Sequence, residues 1–213
     1  MKLLIASRNH HKIREIRAIF NVPTVDMVGL EEFPDMPAVD EDGQTFHANA
    51  VKKAVTIALA ARVWTLADDS GLEVDDLGGG PGVHSARYAG EPVNHAANNA
   101  KLLAALAGQV VRTARFQCVV ALASADGKAQ IVEGTCAGRI IHEDRGAQGF
   151  GYDPLFVPNG YDQTFAEMEP SLKNQLSHRA RALRQACELW GGMLSQSASS
   201  WPSCRQPRPS RAE

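Results

Sequence analysis

Asp68 and Asp69 stand side by side at the end of a short apolar run, Val63-Trp64-Thr65-Leu66-Ala67, and Ser70-Gly71 follows at once. The glycine-rich stretch Leu77-Gly78-Gly79-Gly80-Pro81-Gly82 comes soon after. A buried strand that runs out into acids and glycines is a common layout for a site at the end of a sheet, where turns leave room for a ligand and a cation. Two carboxylates ~5 Å apart at an effective dielectric of ~20 repel by about 3 kcal/mol. A divalent metal or a neighbouring lysine removes that cost, so the pair points to an enzyme. Neighbours in an extended strand face opposite ways, so only one acid need reach a metal, and residue type does not choose which. The other reading of Asp68 is a turn-forming carboxylate bonded to nearby N–H groups.

Cations break a local rule at two expected helix starts. His10-His11-Lys12 fill the first turn after the capping residue Asn9, and His178-Arg179 fill the first turn after Ser177. The positive end of the helix dipole disfavours each by roughly a few tenths of a kcal/mol unless an anion sits there. A helix N-terminus with a capping Asn and a lysine suits phosphate; the plainer alternative is that these side chains curl into solvent. Two such departures beside an acid pair point to a site, because broken rules gather at functional positions. Competing phosphate motifs are missing: no Gly-x-x-x-x-Gly-Lys-Ser/Thr run occurs, and Gly149-Phe150-Gly151 meets Pro154 where a dinucleotide fingerprint carries its third glycine.

The segments that position these residues alternate between strand-like and helix-like, which predicts a mixed α/β architecture. Residues 3–6 read as a strand, and a helix from Asn9 to about Phe20 buries Ile13, Ile16 and Phe20. Residues 24–29 form a second short strand and 31–42 a loop. A helix over 46–62 packs Ala50, Ala54, Ile57, Ala58 and Ala61 inward, with Asn49 and Lys53 four apart on another face. An alanine-rich helix spans 94–106 and stops before Gly108. Residues 115–122 are a strand, and Asp126-Gly127 turns the chain into a partner strand over 129–134. The last helix runs from the Ser177 cap to Trp190 and ends at Gly191-Gly192. The tail, 195–213, is rich in Ser, Pro and Arg and is expected to be disordered.

The chain has 213 residues, enough for one large or two-lobed domain, here residues 1–194. Lys+Arg 22 against Asp+Glu 24 give a net charge of -2, which does not suggest a nucleic-acid or membrane-surface protein. The three arginines of the tail are a small footprint for a nucleic acid. No apolar run is long enough to span a bilayer, and the N-terminal one is too short for a signal peptide. Four scattered cysteines indicate neither a zinc site nor a disulfide framework, so cytoplasmic is the default location.

Several segments occur in a familiar order: Ser7-x-Asn9-x-x-Lys12, Glu41-x-Gly43-x-Thr45-Phe46-x-x-Asn49-Ala50-x-x-Lys53-Ala54 and Asp68-Asp69-Ser70-Gly71-Leu72. They continue with Pro81-Gly82-Val83-His84-Ser85-Ala86-Arg87-Tyr88, Gly149-Phe150-Gly151-Tyr152-Asp153-Pro154-Leu155-Phe156 and Lys173-x-x-x-Ser177-His178-Arg179. Together, over residues 3 to about 194, the chain closely resembles the inosine/xanthosine triphosphate pyrophosphatases, which remove deaminated purine nucleotides. The resemblance implies a homodimeric, two-lobed α/β protein with a mixed sheet and its site in the cleft between lobes. It implies hydrolysis of ITP, dITP or XTP between the α- and β-phosphates with Mg2+. By the same resemblance Ser7, Arg8, Asn9, His10, His11, Lys12 and Lys53 cradle the triphosphate. Glu41 and Asp69 hold the metal, Asp69 also accepts the proton with Asp68 supporting it, and Ser70 contacts substrate. Phe150, Gly151, Tyr152, Asp153, Lys173, His178 and Arg179 form the purine pocket.

That chemistry suits the residue types. Phosphoryl transfer asks for charge neutralisation and an aligned water more than for covalent help. A donor from Arg179, His178 or a backbone N–H would match a 6-oxo purine and leave the adenine amine unmatched. Phe150 or Tyr152 could stack on the base, the alternative being ordinary core packing. His84 and Arg87 either reach the site or brace it, and His47, His95 and His142 are assigned surface or packing roles. Two other readings are a nucleotide-binding sensor without turnover and a pyrophosphatase for other modified nucleotides.

Overall fold

The computed structural model describes residues 1–199. Six strands, Lys2–Ile5 (β1), Asp26–Gly29 (β2), Trp64–Val74 (β3), Thr113–Ala123 (β4), Ala129–Ile140 (β5) and Phe156–Pro158 (β6), form one sheet in the order β2-β1-β3-β4-β5-β6. β2, β1 and β3 run parallel, and β3 to β6 antiparallel. The connections explain the mixture. Parallel neighbours need long crossovers, which the helices His10–Ile19 (α1) and Phe46–Ala61 (α2) provide, whereas β4 and β5 are joined by a tight turn.

Strand alternation divides the core. Leu3 and Ile5 of β1 join one apolar cluster, while Leu4 and the following Ala6 join another. On β4, Cys118, Val120 and Leu122 face the first cluster, and Val119, Ala121 and Ala123 the second. α1 and the last helix, His178–Ser199 (α5), cover the first face through Ile13, Ile16, Leu183 and Trp190. α2 covers the second through Ala50, Ala54 and Ile57. A third cluster, with Leu72, Phe116, Phe156 and Phe165, fills the far half of β3–β5 beside the helix His95–Ala105 (α3). The caps expected at Asn9 and Ser177 form, Asn9 accepting from the N–H groups of His11 and Lys12 and Ser177 from that of Ala180.

The structure departs from the sequence reading in four places. β3 does not run out before the acids: it continues to Val74 and pairs with β4 throughout, Asp68 opposite Val120 and Asp69 opposite Val119. The acid pair therefore lies in mid-strand, its backbone satisfied by the ladder. β5 continues past Gly134 to Ile140, because Gly134, Cys136, Gly138 and Ile140 alternate inward and two of them lack the bulk that signals a buried face. α5 passes through Gly191-Gly192 to Ser199, with Leu194 buried beyond them. The short helix Pro170–Leu176 (α4) and β6 are additional. Residues 200–213, the greater part of the expected tail, lie outside the described residues.

Candidate active site

Strand alternation decides the fate of each acid. Asp68 shares its side of β3 with Leu66 and Ser70 and so faces α1 and α5, where Lys12 Nζ lies 3.1 Å from Oδ2 and Arg179 donates to Oδ2 from Nη2 at 3.0 Å and Nε at 3.2 Å. Burial works against ionising Asp68, but Lys12, then Arg179 and Lys53, outweigh it and hold the carboxyl well below the usual range. Asp69 faces α2 instead. Asn49 Nδ2 donates to its Oδ2 at 3.0 Å, and Asn49 Oδ1 accepts from the Gly43 N–H at 2.8 Å. A side chain at Gly43 would bring its Cβ within 2.6 Å of Asn49 Oδ1, so the close approach needs glycine. Asn49 thereby ties Asp69 to the segment bearing Glu41, whose carboxylate pairs with Lys53 and whose carbonyl accepts from Arg87 at 2.8 Å. Burial pushes the Asp69 carboxyl upward, Glu41 adds to this, and Lys12 and Lys53 only partly offset it. Two adjacent carboxylates thus have their proton affinities driven apart.

Two cavities meet at this point. One is lined by Asp69, Ser70, Phe150, Lys173, His178 and Arg179, with Gly151, Tyr152 and Asp153 beside them. The other is lined by Ser7, Arg8, Lys53 and Val39. They share Asn9, Lys12, Glu41 and Ala86, and so form the two ends of one trench.

At the Phe150 end the charges are fixed. Lys173 Nζ donates to Asp153 Oδ2 at 2.6 Å and to Glu15 Oε1 at 2.9 Å. Arg179 Nη1 donates to Glu15 Oε2 at 2.5 Å, and Nη2 to Ser70 Oγ at 2.7 Å. These bonds and those to Asp68 leave one of the five guanidinium N–H donors over. Asp153 Oδ2 also accepts from the Phe150 N–H at 2.8 Å, a turn in which Gly149 has φ of 75° and a Cβ there would strike Asp153. The Phe150 ring stacks on His11 at 5.0 Å, with Lys173 Nζ 5.1 Å from its centroid. His178 stacks on Phe116 at 4.7 Å, and its Nδ1 is buried with no hydrogen-bond partner among the described residues. Burial, reinforced by Arg179 and Lys173, drives its pKa well below 6.5, so the imidazole is neutral and offers one donor and one acceptor. Tyr152 is buried and donates to the Ser85 carbonyl at 2.8 Å, a tether that leaves Phe150 as the more open aromatic face.

The cations at the helix starts meet carboxylates of the protein itself. Asp68 and Glu15 offset Arg179, Asp68 offsets Lys12, and Asn9 Oδ1 takes the N–H groups of His11 and Lys12. His10 is exposed and borders a different groove, with Ser7, Arg8 and Ile13. Sequence reasoning missed Glu15. The available signal was its spacing: three residues after Lys12, it lies on the same helical face. It also left Arg87 undecided, and that residue braces the Glu41 segment. His95, assigned to surface or packing, lines the first cavity with its ring tilted against Phe150 at 6.4 Å.

A mixed α/β fold that gathers an acid pair, two lysines and a buried set of base-sized donors along one trench defines a class: a protein built to handle a nucleotide and its phosphates. The chain belongs to the Ham1 family, whose model matches residues 3–189. It is 50% identical over 191 residues to the dITP/XTP pyrophosphatase of Desulforamulus reducens, covering 89% of this chain and 95% of that protein. It is 49% identical to the enzyme of the same name from Geobacillus kaustophilus, over 89% of this chain and 94% of the relative. Among solved structures, the Staphylococcus aureus Ham1 protein superimposes with a TM-score of 0.82 at 39% identity, covering 91% of this chain and 100% of that one. No helix among the described residues is long and apolar enough to cross a membrane.

Proposed function

We propose that the protein hydrolyses non-standard purine nucleoside triphosphates, ITP, dITP and XTP, to the monophosphate and pyrophosphate. The observation that carries this reading is the seam of the trench, where Asp69 and Glu41 stand between the lysines of one end and the buried donors of the other. The triphosphate lies along Lys12 and Lys53, compact cations that offset its charge, with Ser7, Arg8 and Asn9 alongside. The purine enters between Phe150 and the donors of Lys173, His178 and Arg179. Lys173 and Arg179 each keep one N–H beyond their internal bonds, so a 6-oxo group is rewarded and the adenine amine meets donor against donor.

Asp69 is the proton acceptor for the water that attacks the α-phosphorus, and its raised proton affinity suits that role better than the depressed Asp68 does. As the water oxygen bonds to the α-phosphorus, the bond to the oxygen bridging to the β-phosphorus breaks, and pyrophosphate leaves. The donor set fits magnesium: two hard carboxylates, Glu41 and Asp69, whose mutual repulsion a cation relieves. No cluster of three or more His, Cys, Asp or Glu occurs among the described residues, and Mg2+ bound largely by phosphates and water needs none. When bound, the ion would neutralise charge on the phosphates and polarise the attacking water.

The family resemblance further supports a homodimer with the trench between two lobes, a cytoplasmic location, and a catalytic domain over 1–194, whose last helix continues into the first residues of the expected tail, 195–199. Steady-state kinetics on ITP, XTP, GTP and ATP with Mg2+ and product identification test the activity. Rapid pyrophosphate release from ITP and XTP is expected, with a loss of about 10²–10⁴-fold in kcat for Asp69→Asn in a folded protein. Tight ITP binding without pyrophosphate release would instead assign a sensor.

A further inference from the structure

The ring of Phe150 is a partition. It borders the trench and also a separate hollow behind it, which Arg14, Phe165 and Met168 help to line. His11 borders that hollow and neither cavity of the trench, although the family resemblance assigns it to the triphosphate. Its ring lies against Phe150 instead, with centroids 5.0 Å apart and planes 21° from parallel. Arg14 Nη2 donates to its Nδ1 at 3.0 Å, and Asn9 Oδ1 accepts from its backbone N–H at 2.9 Å, so ring and backbone are both held. Burial, then Arg14 and His95, push its pKa below 6.5, so at neutral pH the ring carries no charge to offer a phosphate.

We infer that His11 is a positioning residue for the purine rather than a ligand of the phosphates: its ring backs Phe150 from behind and keeps the trench-side face of Phe150 set for stacking on the base. This rests on the function proposed above and deepens its account of the purine end. Phe150 sits between Gly149 and Gly151, neither of which has a side chain to steady its ring. The bond from its N–H to Asp153 fixes the backbone of the turn and leaves the tilt of the ring to its neighbours. His95 meets that ring at 6.4 Å and tilted by 55°, so the near-parallel ring contact comes from His11. Lys12 follows at once in the first turn of α1 and pairs with Asp68. One helical turn thereby holds the wall of the base and a cation of the phosphate end one residue apart, and so sets the spacing between them.

The test compares His11→Ala, which removes the ring, with His11→Phe, which keeps a stacking surface but no ring nitrogen. Both are assayed on ITP, with product inhibition by IMP and by pyrophosphate. His11→Ala should raise KM for ITP and the inhibition constant of IMP about three- to tenfold. Its kcat and its pyrophosphate inhibition constant should stay within about twofold of wild type, because stacking on the base is binding common to ground and transition states. His11→Phe should restore KM and the IMP constant to within about twofold of wild type. In a Phe150→Ala background His11→Ala should change KM by less than about twofold, since its effect runs through that ring. A pyrophosphate constant that rises as far as that of IMP assigns His11 to the phosphates and overturns the inference. So does an unchanged KM in His11→Ala, an equal loss in His11→Phe, or an undiminished effect without Phe150. Circular dichroism and thermal melting check folding; should His11→Ala not fold, His11→Gln takes its place with the same criteria. A wild type that releases no pyrophosphate from ITP sinks the proposed function and this inference with it. An active wild type with any of the overturning results sinks the inference alone.

Discussion

At the Phe150 end of the trench, the side chains of Lys173 and Arg179 are 6% and 1% exposed and tied to Asp153, Glu15 and Asp68. At the other end Arg8 is exposed, and Lys53, with a side chain 12% exposed, pairs with Glu41, whose side chain is 35% exposed. Both ends collect positive charge, but the carboxylates that meet it at the Phe150 end are the more deeply buried. Sealed pairs cannot exchange partners cheaply, so that end has a fixed shape suited to discriminating one flat base from another. A pair whose carboxylate is partly exposed is more easily replaced, so under the function proposed above that end gives up its carboxylate to a polyphosphate.

Breaking the sealed end should have the largest effect. Arg179→Met leaves Asp68 and Glu15 facing each other's charge without their shared partner, and a loss of about 3–5 kcal/mol in unfolding free energy is expected together with loss of turnover. Urea unfolding measures it. Opening the other end should act on kinetics instead. Lys53→Ala is expected to change stability by less than about 1 kcal/mol while lowering kcat/KM for ITP about 10²-fold. A destabilisation as large as that of Arg179→Met would erase the contrast between the ends.

The smallest effect concerns acid. His178 is held neutral by burial and by Arg179 and Lys173, with Lys12 adding to them and Asp68 opposing. Because its folded pKa lies below the ordinary 6.5, its contribution to stability is whole above that pH and is lost as pH falls beneath it. The slope from this residue is about 1.4 kcal/mol per pH unit. Glu15 and Asp68, also depressed, add further losses only below the ordinary carboxylate range. Stability measured from pH 7 to 5 should therefore flatten in His178→Gln. A slope identical to wild type would remove His178 as the cause.

Most of the local grammar was readable beforehand. Asn9 and Ser177 announce their helices, and Leu3 to Ala6 reads as a strand, which the structure shows to be two-faced. The readings that failed share a cause. β5 was cut short at Gly134 because small residues carry no hydropathy signal, although their smallness is what lets helices and strands pack against them. α5 was stopped at two glycines whose propensity penalty is outweighed by the burial of Leu194. β3 was ended at its acids because carboxylates are rare in a buried strand, and only their partners make them tolerable there.

Sequence by itself determined that Asp68 and Asp69 must part to opposite faces, since side chains on a strand alternate whatever surrounds them. It also placed Lys12 and Arg179 in the first turns of helices, because caps and spacing act over a few residues. Which acid met which cation was decided only by the tertiary structure. Glu15 and Lys173 are 158 residues apart along the chain, and Asp68 and Arg179 are 111 apart. Such pairs depend on α1 and α5 packing on the face of the sheet that Asp68 shares, and on α4 packing against both. Electrostatics at contact range is set by that packing, and separation along the sequence carries no record of it.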